Sequence, residues 1–165
     1  HATHDPLARR LAIPRALHDQ GIHRYGFHGL SYRHVADALR ATDLPADARV
    51  VAAHLGSGAS LCAMQGGISR DSSMGFSTLD GIPMATRCGA LDPGVLLHLL
   101  GPMGWTLDRV ERMLYHESGL LGVSGIDADS RELLDSDRPE AAEEEDEVER
   151  FREFLDNVSA EDFEG

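Results

Sequence analysis

The sequence contains no lysine, because all 15 of its basic residues are arginines. A Walker A phosphate loop needs a lysine after its glycines, so this chain cannot contain one. The two cysteines, Cys62 and Cys88, are too few for a disulfide framework, and a reducing cytoplasm is the expected location. No apolar run approaches the roughly eighteen residues that are needed to cross a bilayer, so we expect no membrane association.

Negative charge is concentrated towards one end of the chain. The net charge is −13, from 28 acidic residues and 15 arginines. Residues 132–165 carry 15 of the acids and 3 of the arginines, which leaves a net charge of −1 on residues 1–131. Neither part offers the basic surface that nucleic acid requires, so no nucleic-acid partner is expected.

The most distinctive stretch, residues 71–93, is called here the Arg87 loop and reads DSSMGFSTLDGIPMATRCGALDP. Its one arginine lies among small residues, glycines and prolines, a composition typical of an irregular loop that brings backbone close to a ligand. A guanidinium is a permanently charged, planar fork that matches a carboxylate or a phosphoryl group. From residue types alone, a connector whose arginine pairs with a structural aspartate fits equally well.

A histidine precedes the next candidate helix. Residues 25–28 are predicted as a short strand that ends at Gly29, and Ser31 is predicted to cap a helix with apolar residues at i, i+3, i+4 and i+7 from Tyr32. His28 would then lie just before a helix N-terminus, where exposed N–H groups favour anions. A purely structural histidine is the alternative.

Three short antiparallel strands are predicted near residues 49–55, 59–64 and 68–73, from alternating residues and two glycine turns. The turn Gly56-Ser57-Gly58 could lay several backbone N–H groups against a phosphate. By itself such a hairpin is a weak signal, because most are simple turns.

Together these segments resemble the signatures of the acetate kinase family, the acetate and propionate kinases of the actin-like ATPase superfamily. In the Arg87 loop the residues that agree with the family pattern are Ser73, Met74, Gly75, Phe76, Leu79, Gly81, Thr86, Arg87, Cys88, Gly89, Leu91, Asp92 and Pro93. The departures in this loop are Ser72, Ser77, Thr78, Asp80, Ala85 and Ala90.

The other segments resemble the same family. The run YGFHG matches, with Leu30 and Tyr32 in place of a threonine and a second histidine. In the hairpin the matching residues are His54, Leu55, Gly56, Gly58, Ala59 and Ser60, and Ser57 replaces an asparagine. The run SGLLGVSG at 118–125 also matches, as do Asp129 and Arg131, with Ser130 where an aromatic or apolar residue is usual.

The resemblance implies an α/β fold: an incomplete lobe of an actin-like (ribonuclease H-like) ATPase with antiparallel hairpins and flanking helices. It implies that ATP and acetate or propionate give ADP and an acyl phosphate, with ATP and Mg²⁺ as cofactors and a homodimer as the assembly. The implied catalytic residues are His28 and Arg87, and Phe27 lines the substrate site. The implied nucleotide-binding residues are His54, Gly56, Ser57, Gly58, Asp129, Ser130 and Arg131, and no residue is assigned to a metal.

The resemblance covers residues 1–134, interpreted as a partial acetokinase domain that forms the second lobe. Residues 135–165 are predicted to be an acidic tail, largely disordered, with one short amphipathic helix near residues 148–158. Several of the family's ligand-binding segments have no counterpart here, so we expect a fragment or truncated gene product that is inactive alone. The alternative is a catalytically dead remnant whose acidic tail mediates an interaction.

Overall fold

A computed structural model of the chain describes residues 3–139. Three strands, β1 (Arg49–His54), β2 (Ser60–Gln65) and β3 (Ile68–Ser72), form an antiparallel sheet in sequence order. Within the described residues, six helices accompany this sheet: α1 (Arg15–Asp19), α2 (Gly29–Leu39), α3 (Pro93–Leu100), α4 (Leu107–His116), α5 (Gly119–Ser124) and α6 (Ser130–Leu134). The helix predicted near residues 148–158 lies outside the described residues.

The two hairpins agree with the strand prediction to within one residue at each end. In the first hairpin His54 lies opposite Ser60, and the intervening residues 55–59 form the turn. The second hairpin turns at Gly66 and Gly67, whose φ angles of 58° and 73° lie in the left-handed region. Turns of this kind match the twist of the flanking strands, and glycine adopts them without strain.

Helix α2 packs across the sheet. Tyr32 and Ala36, one turn apart on the same helix face, are buried against Ala52, Cys62 and Met64 of β1 and β2. This packing places the beginning of α2 beside the turn between β1 and β2. The fold thereby brings the His28 segment to the glycine hairpin.

The strand predicted for residues 25–28 is wrong. Gly26 and His28 both have positive φ angles, of 68° and 58°, which break an extended chain. The N–H groups of Tyr25 and Gly26 donate instead to Gly75 O, at 2.9 and 3.2 Å. The predicted Ser31 cap is also wrong, because His28 occupies the N-cap position and makes no side-chain capping bond.

After the Arg87 loop the described chain is mainly helical. Leu99 of α3 packs against Val110 and Leu114 of α4, and Cys88 of the Arg87 loop adds to this cluster. Thr106 caps α4 by accepting a hydrogen bond from the Arg109 N–H. Between residues 3 and 139, no helix is both long enough and apolar enough to cross a bilayer.

Candidate functional site

His28 lies at the N-cap of α2 in the left-handed backbone region, with φ 58° and ψ 24°. That conformation costs a residue other than glycine about 1–2 kcal/mol, so other contacts must hold it. One contact joins its Nδ1 to Ser60 Oγ of β2, 2.8 Å away. Another is the ring of His54, which stacks on the His28 ring with the centroids 3.9 Å apart. The imidazole is thus fixed at the turn end of the sheet.

His54 is itself held in place. Its Nδ1 lies 3.0 Å from Ser31 Oγ in the first turn of α2. The hydroxyl that the sequence predicts to cap the helix therefore positions a ring of the site instead. Because Ser31 and His28 belong to the same turn, α2 orients both stacked imidazoles.

The turn between β1 and β2 approaches this pair of rings through a glycine. A β-carbon added at Gly58 would lie 3.6 Å from His28 Nε2 and 2.8 Å from Arg87 Nη2. Among the described residues, none accepts a hydrogen bond from the N–H groups of Gly56, Ser57 and Gly58. The hairpin therefore presents several free donors next to a guanidinium and an imidazole, a combination suited to an anion.

Arg87 reaches Gly58 from the Arg87 loop. Its Nη1 donates to the Thr78 carbonyl oxygen at 3.0 Å, which fixes the guanidinium within its own loop. None of the ion pairs among the described residues includes Arg87. The interpretation of this arginine as the partner of a structural aspartate is therefore wrong, and its charge remains available.

The start of α5 supports the backbone of the Arg87 loop. The Leu120 N–H donates to Met84 O at 2.9 Å, and the Leu121 N–H donates to Ala85 O at 3.0 Å. The first N–H groups of a helix have no acceptor within the helix, so the loop carbonyls satisfy them. This helix end therefore holds the loop immediately before Arg87.

Electrostatics distinguishes the two side chains. Burial lowers the pKa of His28 below its ordinary value, and the nearby His54 and Arg87 lower it further. Near neutral pH the imidazole is therefore uncharged, whereas a guanidinium is always charged. The cluster combines one permanent cation with one neutral group that can donate a hydrogen bond.

Phe27 joins the His28 segment to the Arg87 loop. It is half-buried and packs against the cluster of Ala59, Met74 and Met84. Met74 and Met84 are almost completely buried and both belong to the Arg87 loop. Phe27 therefore lies between the loop and the hairpin, one residue before His28.

The predicted nucleotide residues of α6 form a separate group. Asp129 caps α6 by accepting from the Arg131 N–H, and its carboxylate also accepts from the Arg131 side chain at 3.0 and 2.5 Å. These bonds to Arg131 lower the pKa of Asp129 to about 2. Ser130 and Arg131 are exposed. The side chains of Asp129 and Arg131 hydrogen-bond to each other, and the cluster at Gly58 is built without them.

The cluster of His28, Arg87 and Gly58 is open to solvent on its hairpin side, where Gly56 and Ser57 are exposed. Cavities of about 400 and 370 Å³ lie elsewhere, against α4 and between α2 and strands β2 and β3. Neither of these cavities includes His28 or Arg87. The cluster is therefore accessible to solvent from the hairpin side.

The acidic and histidine residues do not form a metal centre within the described part of the chain, where no group of three His, Cys, Asp or Glu could hold an ion. Backbone N–H groups and a guanidinium bind anions and repel cations. The donor set at Gly58 therefore fits the phosphates of a nucleotide and does not fit Mg²⁺ directly.

Three residues that contact the site were not singled out from the sequence. The sequence predicts that Ser60 belongs to a strand and Tyr32 to an apolar helix face, and Thr78 departs from the family pattern of the loop. Their contacts join residues far apart in the chain, and hydrophobic periodicity carries no such information. The family pattern includes Ser60 but gives no role to it.

Comparison with known proteins places these observations in context. The family model described as the Acetokinase family matches residues 1–159. The acetate kinases of Rhodopseudomonas palustris and Methylocella silvestris are 55% and 51% identical to this chain, over 139 and 142 residues. These matches cover 83% and 86% of the chain, but it spans only 35% of the length of each relative.

Solved structures give the same result. The chain superimposes on the acetate kinase of Entamoeba histolytica with a TM-score of 0.78 and 37% identity, covering 86% of this chain and 37% of that one. For a propionate kinase from Francisella tularensis the TM-score is 0.77 at 36% identity, covering 86% and 38%. The predicted fold is confirmed: an incomplete α/β lobe of the actin-like ATPase type.

Proposed function

Since this chain belongs to the acetokinase family, we propose that it supplies part of a site that transfers a phosphoryl group between ATP and acetate or propionate. The observation that carries the proposal is the convergence of Arg87 Nη2 and His28 Nε2 on Gly58. A cation, a neutral donor and free backbone N–H groups at one point suit a group with negative oxygens. Two donors of different kinds also give directional recognition.

The chemistry asks for alignment and for neutralisation of charge, with little covalent participation by the protein. A carboxylate oxygen of acetate attacks the γ-phosphorus of ATP, and the bond from that phosphorus to the oxygen of the β-phosphate breaks. ADP leaves with the bonding electron pair, and no proton is transferred. The products are ADP and acetyl phosphate, so no side chain needs to act as a base.

Arg87 and His28 then stabilise the phosphoryl group while it moves. Arg87 offers Nη2, since its Nη1 is already engaged by the Thr78 carbonyl. His28 offers Nε2, since its Nδ1 is engaged by Ser60. Both groups are held by the protein before substrate arrives, so they need little reorganisation during the reaction.

The remaining predicted residues bind the two substrates. The N–H groups of Gly56, Ser57 and Gly58 would hold phosphate oxygens of ATP, beside the ring of His54. Asp129, Ser130 and Arg131 would contact adenosine, and Phe27 would line the pocket for the small carboxylate. Mg²⁺ neutralises nucleotide phosphates when it is bound, and none of the described residues is assigned to it.

Residues 1–134 constitute, in this proposal, a partial acetokinase domain, and residues 135–165 an acidic tail. The open cluster at Gly58 supports the expectation that the chain is inactive alone, because alignment of two substrates contributes about 7–11 kcal/mol and needs both walls of a cleft. The complete enzyme would be a cytoplasmic homodimer.

One experiment tests this function directly. Acetyl phosphate is trapped as its hydroxamate with the 165-residue chain and with a chimera in which the matching segment of the Rhodopseudomonas palustris acetate kinase is replaced by that of this chain. We expect no product from the chain alone and acetate-dependent product from the chimera. A folded but inactive chimera would refute the proposed roles of His28 and Arg87. Turnover by the 165-residue chain alone would refute the proposal that it supplies only part of the active site.

The concentration of charge in residues 132–165 favours a second candidate, an interaction protein without activity. In that case the chimera would fold and bind neither nucleotide nor acetate. Isothermal titration of the chimera with ADP separates the two candidates, because the catalytic proposal requires nucleotide binding and the remnant does not.

A further inference from the structure

Hydrogen bonds connect the half-buried His28 imidazole to two buried hydroxyl groups, those of Ser60 and Tyr32. The Tyr32 hydroxyl is hydrogen-bonded to Ser60 Oγ, and Ser60 Oγ lies 2.8 Å from His28 Nδ1. Ser60 is fully buried and Tyr32 is 5% exposed, so water does not substitute for either partner. The other ring nitrogen of His28, Nε2, faces the Gly58 and Arg87 side.

Burial gives these hydrogen bonds a direction. Among the described residues, Ser60 is the one hydrogen-bond partner of the buried Tyr32 hydroxyl. The phenol proton then has Ser60 Oγ as its acceptor. A buried hydroxyl without an acceptor is costly, so Tyr32 donates to Ser60 and the Ser60 proton is left to donate to His28 Nδ1.

We propose that Tyr32 and Ser60 are positioning residues that hold the neutral His28 ring as the tautomer with its proton on Nε2. A neutral imidazole has one donor and one acceptor, and the hydrogen bond at one nitrogen decides which is which. With Nδ1 fixed as the acceptor, Nε2–H is the donor that points towards the phosphoryl site. The inference rests on the proposed function for its purpose, since an Nε2 donor is what a transferring phosphoryl group needs.

The arrangement also resists protonation of His28. A protonated ring must donate from Nδ1, so Ser60 must accept that bond and can no longer donate to His28. Either the Ser60 proton turns towards Tyr32 and the phenol proton loses its acceptor, or Tyr32 keeps donating and the Ser60 proton has none. The titratable and charged side chains facing His28 are His54, stacked on one side, and Arg87, so the hydroxyl pair adds to their effect.

The first measurement is the tautomer itself, by long-range ¹H–¹⁵N correlation spectra of the 165-residue chain with ¹⁵N-labelled histidine. At pH 7.5 we expect His28 to have a protonated Nε2 and an unprotonated Nδ1. A proton on Nδ1 would overturn the proposal, because Ser60 would then be accepting. This measurement needs no substrate and no activity.

The second measurement is a double-mutant cycle on the pKa of His28, followed by the same spectra. Tyr32→Phe removes the donor that orients and polarises the Ser60 hydroxyl towards His28, and should therefore raise the pKa of His28 by about half a unit to one unit, the size of one hydrogen bond. In the Ser60→Ala background the same change should have no effect. A shift of equal size in both backgrounds would show that Tyr32 acts on His28 through packing. It would refute the proposal that Tyr32 acts through its hydrogen bond to Ser60.

Tyr115→Phe, in α4, is the matched control and should leave the titration of His28 unchanged. Loss of activity in the chimera with the wild-type tautomer intact would count against the proposed function alone. The wrong tautomer in an active chimera would count against this inference alone.

Discussion

Arg87 and His28 come from separate loops and converge on the same glycine: a β-carbon at Gly58 would lie 2.8 Å from Arg87 Nη2 and 3.6 Å from His28 Nε2. Because Gly58 has no side chain, the Arg87 guanidinium can lie beside the hairpin. The distance to Nη2 is shorter than van der Waals contact, so any larger residue must displace the arginine.

Gly58→Ala should therefore lower activity with little loss of stability. The group that the new methyl would meet is the end of a flexible side chain, which can move away at low cost. In the chimera we expect kcat to fall about 10-fold to 100-fold, because a displaced donor no longer matches the transition state. The measurements are the hydroxamate assay and thermal unfolding of each variant.

Gly56→Ala is the control for that substitution, because its β-carbon would meet only the Gly58 carbonyl oxygen, at an ordinary 3.6 Å. The substitution keeps both the backbone N–H that is proposed to hold ATP and the position of Arg87, so kcat should stay within a factor of about three of that of the unmodified chimera. Equal losses at the two glycines would mean that hairpin flexibility, and not the position of Arg87, limits the reaction.

Arg87→Ala in the chimera should reduce kcat much more than it changes ATP affinity, since its partner is the group in transfer. Loss of one charged donor to a transition state costs about 100-fold to 1,000-fold in kcat, and the KM for ATP should change less than about threefold. Arg112→Ala is the control, since that exposed side chain of α4 pairs with Glu117 at the C-cap of the same helix. A large rise in the KM for ATP with kcat preserved would assign Arg87 to ground-state binding.

The sheet and the short loops between its strands could be predicted because their signals are local. Alternation along β1 and β2 and the Gly66-Gly67 turn specify the hairpins without reference to any other part of the chain. The family signatures also identified the loops that meet at Gly58. They could not predict that these loops contact one another at Gly58, because that contact depends on how α2 and α5 pack.

The main error of the sequence prediction concerns the beginning of α2 and the residues before it, and the error has a physical cause. Tyr25 and Gly26 find their acceptor at Gly75 O, a residue of the Arg87 loop, so a tertiary contact decides their conformation. Ser31 has the residue type of a cap but hydrogen-bonds to His54. Local propensities could predict neither of these hydrogen bonds, because the partners, Gly75 and His54, are distant in the sequence.

Gly119→Ala should destabilise the chain strongly, because the start of α5 lies against the Arg87 loop. Its φ is 62°, and an added β-carbon would overlap the Met84 carbonyl oxygen and lie 2.7 Å from that of Arg87. Backbone strain of about 1–2 kcal/mol and overpacking of about 1–3 kcal/mol predict a loss of about 2–5 kcal/mol. Urea unfolding of the 165-residue chain, followed by circular dichroism, measures it.

Gly125→Ala isolates the strain contribution, since Gly125 has a φ of 61° and nothing lies within 4 Å of its added β-carbon. We expect a loss of about 1–2 kcal/mol there. If both variants lost the same free energy of unfolding, contact between α5 and the Arg87 loop would not contribute to stability.

The stability of the chain should decline as the pH falls below about 6.5, the ordinary pKa of histidine. Burial lowers the pKa of His4, which is 5% exposed and lies 2.6 Å from Ser69 Oγ through its Nε2, and burial likewise lowers that of His28. Because these folded values lie below the unfolded one, the unfolded chain takes up protons first. The stabilisation is complete above about 6.5 and is lost progressively as the pH drops towards the folded values.

His4→Asn should flatten this decline, since one of the two responsible groups no longer titrates. Urea midpoints at pH 7.5, 6.5 and 5.5 measure the slope above the range where most carboxylates titrate, and the Asp129 pKa of about 2 keeps that group out of the window. His34→Asn, which removes an exposed imidazole on α2, is the control and should keep the slope of the unmodified chain. A decline that is equally steep in all three proteins would mean that burial of His4 does not govern the response, and that His28 or the carboxylates carry it instead.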